Sequence, residues 1–351
     1  KADGFDVLYA PRLKHFNPVQ TQVFQCLYNT DDNALVGAPT GSGKTVCAEF
    51  AILRMLNKLA KGEADGARCV YMAPSVEIAR ERLIDWQARL GDKLGVRVVA
   101  LTGETSADLK LLEKGQVIIS TPHQWDVLSR RWKQRKNVQN VSLFIADELH
   151  LIGGAVGPTM EVVTSRMRYI SSQLEKPIRV VGLCTSLANA RDLGEWIGAS
   201  SHGMFNFPPG VRPVPLDIHI QGVDIVNFEA RMQAMARPVY GAICQHAPQG
   251  EPAIVFVPTR KHAKLASLDL LTFAAADGKP NKFLACEPED LAPHLERVKD
   301  PAVRHALGFG VALMHESMES DERALVERVF ASGAASVLVV TAPLALRWVT
   351  T

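Results

Sequence analysis

The sequence predicts an α/β protein of two successive lobes, each a parallel sheet covered by helices, and three observations carry that prediction. Short β-branched runs alternate with longer stretches of helical periodicity. The runs are apolar throughout, as strands covered by helices on both faces must be. Between residues 205 and 215 four prolines (208, 209, 213 and 215) fall in eight residues, and a second set of α/β units follows. A length of 351 residues suits two domains better than one. The expected division is a first lobe over 1–206, a linker over 207–216 and a second lobe over 217–351, incomplete at its C-terminus.

Taken in order, the first lobe should contain strands at 34–36, 69–72, 96–101, 117–120, 143–146 and 180–184, with helices between them such as 45–59 and 77–90. The second should contain strands at 218–220, 254–257, 311–315 and 337–341, with helices at 265–273 and 322–330. Residues 274–300 are polar and weakly patterned, and read as an irregular insertion.

Composition narrows the class. No run of eighteen apolar residues marks a membrane span, and the first residues lack the apolar core of a signal peptide. Six cysteines are scattered without a C-x-x-C pair, which argues for reduced thiols and against a zinc site. A net charge of +2 does not reveal a nucleic-acid binder, because a local groove can bind a strand while the remaining surface stays balanced.

The sharpest local signal is Ala38-Pro39-Thr40-Gly41-Ser42-Gly43-Lys44-Thr45, which follows an expected strand and opens an expected helix. That is the context of a phosphate-binding loop. Gly41 and Gly43 let the backbone curl so that several N–H groups converge, and the positive end of the helix aims at the same point. Lys44 would neutralise terminal phosphates, and the Thr45 hydroxyl would ligate Mg2+. Ala38 stands where the strict pattern has glycine. The competing reading is an ordinary glycine-rich turn.

A second signal is the apolar run 141–146 leading into Asp147-Glu148-Leu149-His150. A buried strand ending in adjacent carboxylates puts both at the carboxyl edge of the sheet, where open α/β sheets bind ligands. Asp147 could then hold Mg2+ through its water shell, with Glu148 orienting an attacking water as general base. His150 is expected to touch the facing lobe and sense phosphate. Alone, the motif could be a solvated turn; with an upstream phosphate loop it gains force.

These motifs, in this order over nearly the whole chain, resemble the superfamily-two helicases. Phe16-Asn17-Pro18-Val19-Gln20 looks like the adenine-reading glutamine motif, and Asn17 with Pro18 also suits a helix start. The segments 16–22, 101–105, 129–139, 205–207 and 211–215 are most similar to the Ski-like helicases with two tandem cassettes, in particular the second cassette of the spliceosomal members. A cointegrator group shares much of 211–221.

The resemblance implies two RecA-like lobes, ATP and Mg2+ as cofactors, and single-stranded RNA as a partner. It further implies an N-terminal helicase cassette in the same chain, other spliceosomal proteins as partners, and a nuclear location. In that group the first cassette is the unwinding motor, and the second is chiefly a nucleotide-binding regulator and docking surface. By the same resemblance Gln20, Thr40, Gly41, Ser42, Gly43, Lys44 and Thr45 bind nucleotide. Asp147, Glu148 and His150 are the catalytic set. Pro74, Thr102, Gly103, Thr121, Pro122 and Arg260 meet nucleic acid.

The sequence also departs from the pattern. The third motif reads Cys184-Thr185-Ser186, without its first hydroxyl. Val76 stands where a lysine is usual and His123-Gln124 where Glu-Lys is usual, and Glu77 adds negative charge near a presumed phosphate backbone. The segment 343–351 lacks the expected Trp-Gly, and the arginine-bearing sixth motif does not follow. A fragment of a larger chain is the favoured explanation. The basic run Arg130, Arg131, Lys133, Arg135 and Lys136 around Trp132 reads equally as a strand-binding surface with a stacking indole, a solvated helix end, or a protein-docking surface.

Overall fold

The computed structural model describes residues 6–9, 13, 15–64, 66–174, 176–342 and 344. The chain divides into two compact units between Asp217 and Ile218, so residues 207–216 belong with the first.

The first unit holds α1 (Pro18–Asn29), β1 (Ala34–Gly37), α2 (Lys44–Ala60), β2 (Arg68–Met72), α3 (Val76–Trp86), β3 (Val98–Ala100) and α4 (Thr105–Lys114). It continues with β4 (Val117–Ser120), α5 (Pro122–Ser129), β5 (Val141–Ala146), α6 (Gly157–Gln173), β6 (Arg179–Cys184), α7 (Ala190–Ile197) and β7 (Met204–Asn206). The strands form one parallel sheet in the order β3-β4-β2-β5-β6-β1-β7.

The apolar runs explain why helices cover both faces. Along β2, Cys69 and Tyr71 enter one core with Phe50, Ile52 and Trp86, while Val70 and Met72 enter the other with Trp125, Met160 and Met167. Alternate residues of a strand point to opposite faces, so every position must be apolar. The expected helix 77–90 is α3 continued by a π turn over Gln87–Gly91. The short strand β7 comes immediately before the proline-rich connector. It pairs with β1 through Leu35 and Met204, Val36 and Phe205, and Gly37 and Asn206.

The second unit holds α8 (Phe228–His246), β8 (Ala253–Val257), α9 (Arg260–Ala276), α10 (Pro288–Leu295), α11 (Pro301–Gly308), β9 (Val311–Met314), α12 (Ser320–Ala331) and β10 (Val337–Thr341). Its three strands are parallel in the order β8-β10-β9.

Two expectations are corrected here. Residues 218–220 form no strand, with Ile218 73% and Ile220 92% exposed. A period-two pattern becomes a strand only beside a partner, and this segment has none among the described residues. Residues 274–300 are not an irregular insertion. They contain the end of α9 and all of α10, and they bury Phe283, Leu291 and Val298 in the core of the unit. Those anchors are spaced too widely to make a periodic signal, and Pro288, which reads as a breaker, sits in the first turn of α10, where its missing N–H costs nothing. The expectation about residues 343–351 lies outside the described residues except at Leu344. Among the described residues no helix is long and apolar enough to cross a membrane.

Candidate functional site

Because every strand of the first unit is parallel, all their carboxyl ends open on one edge, and the motifs sort along it by strand order. The phosphate loop follows β1 and the Asp147-Glu148 pair follows β5, with β6 alone between them. Two strand spacings put the motifs roughly 10 Å apart at the backbone, within reach of their side chains.

The loop is built by its glycines. Gly41 and Gly43 have φ of +80° and +81°, a region that side chains rarely enter. A Cβ at Gly43 would also stand 2.3 Å from Gln20 Nε2. The start of α1 braces the loop from outside. Asn17 Oδ1 accepts from Gln20 N–H at 2.9 Å, and Gln20 Oε1 accepts from Asn17 N–H at 3.0 Å, a reciprocal cap. Their amide groups then donate to the loop itself, Asn17 Nδ2 to Ser42 O at 2.8 Å and Gln20 Nε2 to Gly43 O at 3.3 Å. Gln20 is buried, so its amide first holds the loop; the remaining N–H and lone pair are what it can offer a base.

Lys44 Nζ donates to Ala38 O at 2.9 Å and Pro39 O at 3.3 Å, which places the ammonium inside the curve of the loop. Ser42 Oγ is buried with no hydrogen-bond partner among the described residues. Thr40 and Gly41 are exposed at the rim, and Thr45 is half-buried in the first turn of α2.

Across β6, Asp147 Oδ1 accepts from Glu148 N–H at 3.0 Å, and its other oxygen accepts the buried Tyr71 hydroxyl. Glu148 has φ of +51°, and no other non-glycine among the described residues has positive φ. Such strain clusters at functional sites. Burial, then the neighbouring Asp147 charge, push the Glu148 carboxyl up to about 7, while Lys44 pulls it down. Burial and Lys44 hold His150 below its ordinary value, against the pull of Asp147. Lys44 also lowers Cys47 and Cys184, which burial pushes up to about 12. One ammonium thus acts on both motifs.

His150 Nδ1 accepts from Thr185 N–H at 3.3 Å and lies 3.4 Å from Glu148 Oε2. A neutral ring that accepts at Nδ1 is no cation, so the latter contact is an ion pair in distance only. The altered third motif therefore meets His150 through the Thr185 backbone. Its Ser186 Oγ donates to Phe207 O at 2.5 Å, tying β6 to the segment after β7.

These residues fit a nucleoside triphosphate with Mg2+. The orphaned Ser42 hydroxyl, the glycine curl and the Lys44 ammonium suit phosphate oxygens. Thr45 and Asp147 would hold the metal. Among the described residues no three His, Cys, Asp or Glu side chains form a ready metal cage; Mg2+ takes much of its shell from phosphates and water. Bound there, Mg2+ would neutralise charge on the phosphates.

The residues expected to meet nucleic acid lie over the adjoining strands β2, β3 and β4 on the same edge. Pro74 follows β2, Thr102 and Gly103 follow β3, and Thr121-Pro122 follow β4. Asp108, which sequence reasoning missed, fixes the middle loop: its carboxylate accepts from Thr102 N–H at 2.7 Å, Thr102 Oγ1 at 2.8 Å and Gly103 N–H at 2.9 Å. Thr121 and Pro122 are buried as the cap and first turn of α5, and Gln124 Nε2 donates to Leu101 O at 3.1 Å, joining two of the loops. Glu77 falls in the first turn of α3 behind the Ser75 cap, where a carboxylate favours the helix. Arg260 opens α9 of the second unit and is exposed.

The basic run lies elsewhere. It joins the end of α5 to the start of β5, and so sits at the amino edge of the sheet. Trp132 is half-buried against the core, edge-on to Tyr169 at 6.5 Å, and Arg130 pairs with Asp126. A stacking surface continuous with the opposite edge is not what this placement provides.

A family profile described as DEAD/DEAH box helicase matches residues 17–193, from the Asn17 cap to α7. The chain belongs to the DEAD/DEAH box helicase family. It is 59% identical over 342 residues to the DExH-box ATP-dependent RNA helicase DExH12 of Arabidopsis thaliana, covering 97% of this chain and 16% of that protein. It is 54% identical over 336 residues to the human U5 small nuclear ribonucleoprotein 200 kDa helicase, covering 96% and 15%. With human activating signal cointegrator 1 complex subunit 3 it shares 43% identity over 342 residues, covering 97% and 15%. The chain thus spans about a sixth of the length of these relatives. Among solved structures, the Mycobacterium smegmatis helicase Lhr bound to single-stranded DNA and AMP-PNP superposes with a TM-score of 0.59 at 20% identity, covering 97% of this chain and 41% of that one. Each unit of this helicase domain is a RecA-like lobe.

Proposed function

We propose that this chain is a helicase cassette of a pre-mRNA splicing RNA helicase that binds ATP with Mg2+ and serves mainly as a regulatory and protein-docking cassette. The observation that carries the nucleotide part is the meeting of Lys44 with Asp147 and Glu148 on one sheet edge, around a loop that only glycine can form. In this reading Thr40, Gly41, Ser42, Gly43 and Lys44 hold the phosphates, Gln20 meets the base, and Thr45 with Asp147 holds Mg2+. Glu148 orients water, and His150 relays between the carboxylates and Thr185. Pro74, Thr102, Gly103, Thr121, Pro122 and Arg260 would meet single-stranded RNA. The splicing assignment, with spliceosomal proteins and a preceding cassette as partners and the nucleus as location, is supported by the higher identity to the U5 relative than to the cointegrator relative.

The docking role is supported by Val76, 61% exposed where the family pattern has lysine, and by Glu77 beside it. Both weaken attraction to a phosphate backbone. One observation favours the alternative, an active RNA-unwinding motor: Glu148, poised to titrate near neutral pH, suits a general base. ATP turnover with and without single-stranded RNA, on this chain and on Lys44→Ala, separates the two. The docking reading expects ATP binding without RNA-stimulated turnover. RNA-stimulated turnover abolished by Lys44→Ala would establish the motor instead.

A further inference from the structure

We infer that Arg212 is a phosphate-contacting residue of the nucleotide site, delivered onto the phosphate loop by the proline-rich segment after β7; this rests on the nucleotide reading above. A Cβ at Gly41 would stand 3.1 Å from Arg212 Nε and 3.3 Å from Nη2, so the guanidinium lies directly against the rim of the loop.

The segment that carries it is fixed at several points. Phe207 N–H donates to Gly37 O at 2.7 Å, in line with the β7–β1 ladder. Phe207 O accepts from Ser186 Oγ, and a tight turn over Pro209–Val211 closes with Arg212 N–H on Pro209 O at 3.3 Å. Pro208, Pro209 and Pro213 restrict φ on either side, so little backbone freedom remains to be lost when the side chain engages a ligand.

The charge has no internal explanation. The arginines of this unit that lie against its core are satisfied by partners such as these: Arg54 by Asp31, Arg89 by Glu49 and Asp85, Arg166 by Asp126, and Arg179 by the carbonyls of Cys26, Leu27 and Asp32. The Arg212 guanidinium has no such partner among the described residues. Gly41, against which it lies, comes three residues before Lys44, the residue that opens the positive end of the 17-residue helix α2. A second cation gathered at that place is unfavourable unless an anion completes it. A planar, always-charged fork against a phosphate loop suits the oxygens of a nucleoside di- or triphosphate.

Titration of the whole chain with fluorescently labelled ATP and ADP tests this, using the wild type, Arg212→Met, Arg212→Gln and Lys44→Ala. Methionine keeps the length and packing of the side chain without its charge. Arg212→Met and Arg212→Gln should both weaken ATP and ADP threefold or more, with about tenfold expected for a lost charge-assisted contact. Their melting temperatures without nucleotide should match the wild type, while the rise on adding ATP shrinks. ATP affinity within threefold of wild type in Arg212→Met would overturn the inference, since Arg212 would then only brace the loop. If Lys44→Ala binds ATP like wild type, the nucleotide reading itself fails; a loss in Lys44→Ala with none in Arg212→Met removes Arg212 alone.

Discussion

Glu148 combines strained backbone, burial and a like-charged neighbour in one residue, and its behaviour with pH follows from that. Its carboxyl titrates at about 7 against an ordinary 4.5, so the folded chain holds the proton more tightly than the unfolded one. The protonated group's contribution to stability is full below about pH 4.5 and is lost as pH rises through about 7. Glu148→Gln cannot undergo that loss. Urea titrations should therefore find it more stable than wild type at pH 8, by on the order of 2–3 kcal/mol, with the difference vanishing near pH 4.5; equal stability at both pH values would contradict the argument. Gly43 is a second sensitive position. Gly43→Ala forces a side chain at φ +81° and drives Cβ into the Gln20 amide, so it should cost about 2 kcal/mol by urea unfolding and weaken ATP binding together with stability. The phosphate-loop and acidic motifs were legible in the sequence because their chemistry is local. Tyr71 and Arg212 were not, because their partners lie 76 and well over 100 residues away and only the fold brings them together; Asp108 sits six residues from Thr102, but a lone aspartate in a helix's first turn reads as an ordinary favourable charge there.

At the scale of elements, the join between α2, α3 and its π turn shows how a charge can be buried in the first unit. Glu49 is 1% exposed. It accepts from Tyr9 Oη at 2.8 Å and Trp86 Nε1 at 2.9 Å, and pairs with Arg89, which the π turn directs inward. Glu49→Ala leaves Arg89 without its deepest partner and should destabilise the chain by about 3–5 kcal/mol. Glu49→Leu fills the space but leaves the same orphan, so it should recover little of the loss in guanidinium unfolding; full recovery would mean that packing, not pairing, decides the site. Strands such as β2 and β5 could be read from apolar runs because both faces are buried. The short β7 could not, since its three residues precede a proline cluster that looks like pure connector. The 19-residue α8 also escaped, because Pro238 interrupts the pattern and only Tyr240 and Ile243 are buried on it.

For the molecule as a whole, the sequence placed a boundary at the prolines, and the change of unit falls slightly later, between Asp217 and Ile218. Residues 214–226 carry no regular secondary structure and expose Val214, Leu216, Ile218, Ile220 and Val226. Thermolysin, which cuts before large apolar residues, should nick here first and release two pieces, each retaining its own core; first cuts inside 34–206 would contradict the boundary. The central claim is that the first unit binds ATP through Lys44 and the edge it shares with Asp147 and Glu148. The most direct measurement is calorimetric titration of ATP, with and without Mg2+, into the wild type and Lys44→Ala. Saturable binding that Mg2+ strengthens and Lys44→Ala removes is the predicted result. Binding unchanged in Lys44→Ala, or none in the wild type, would contradict the account.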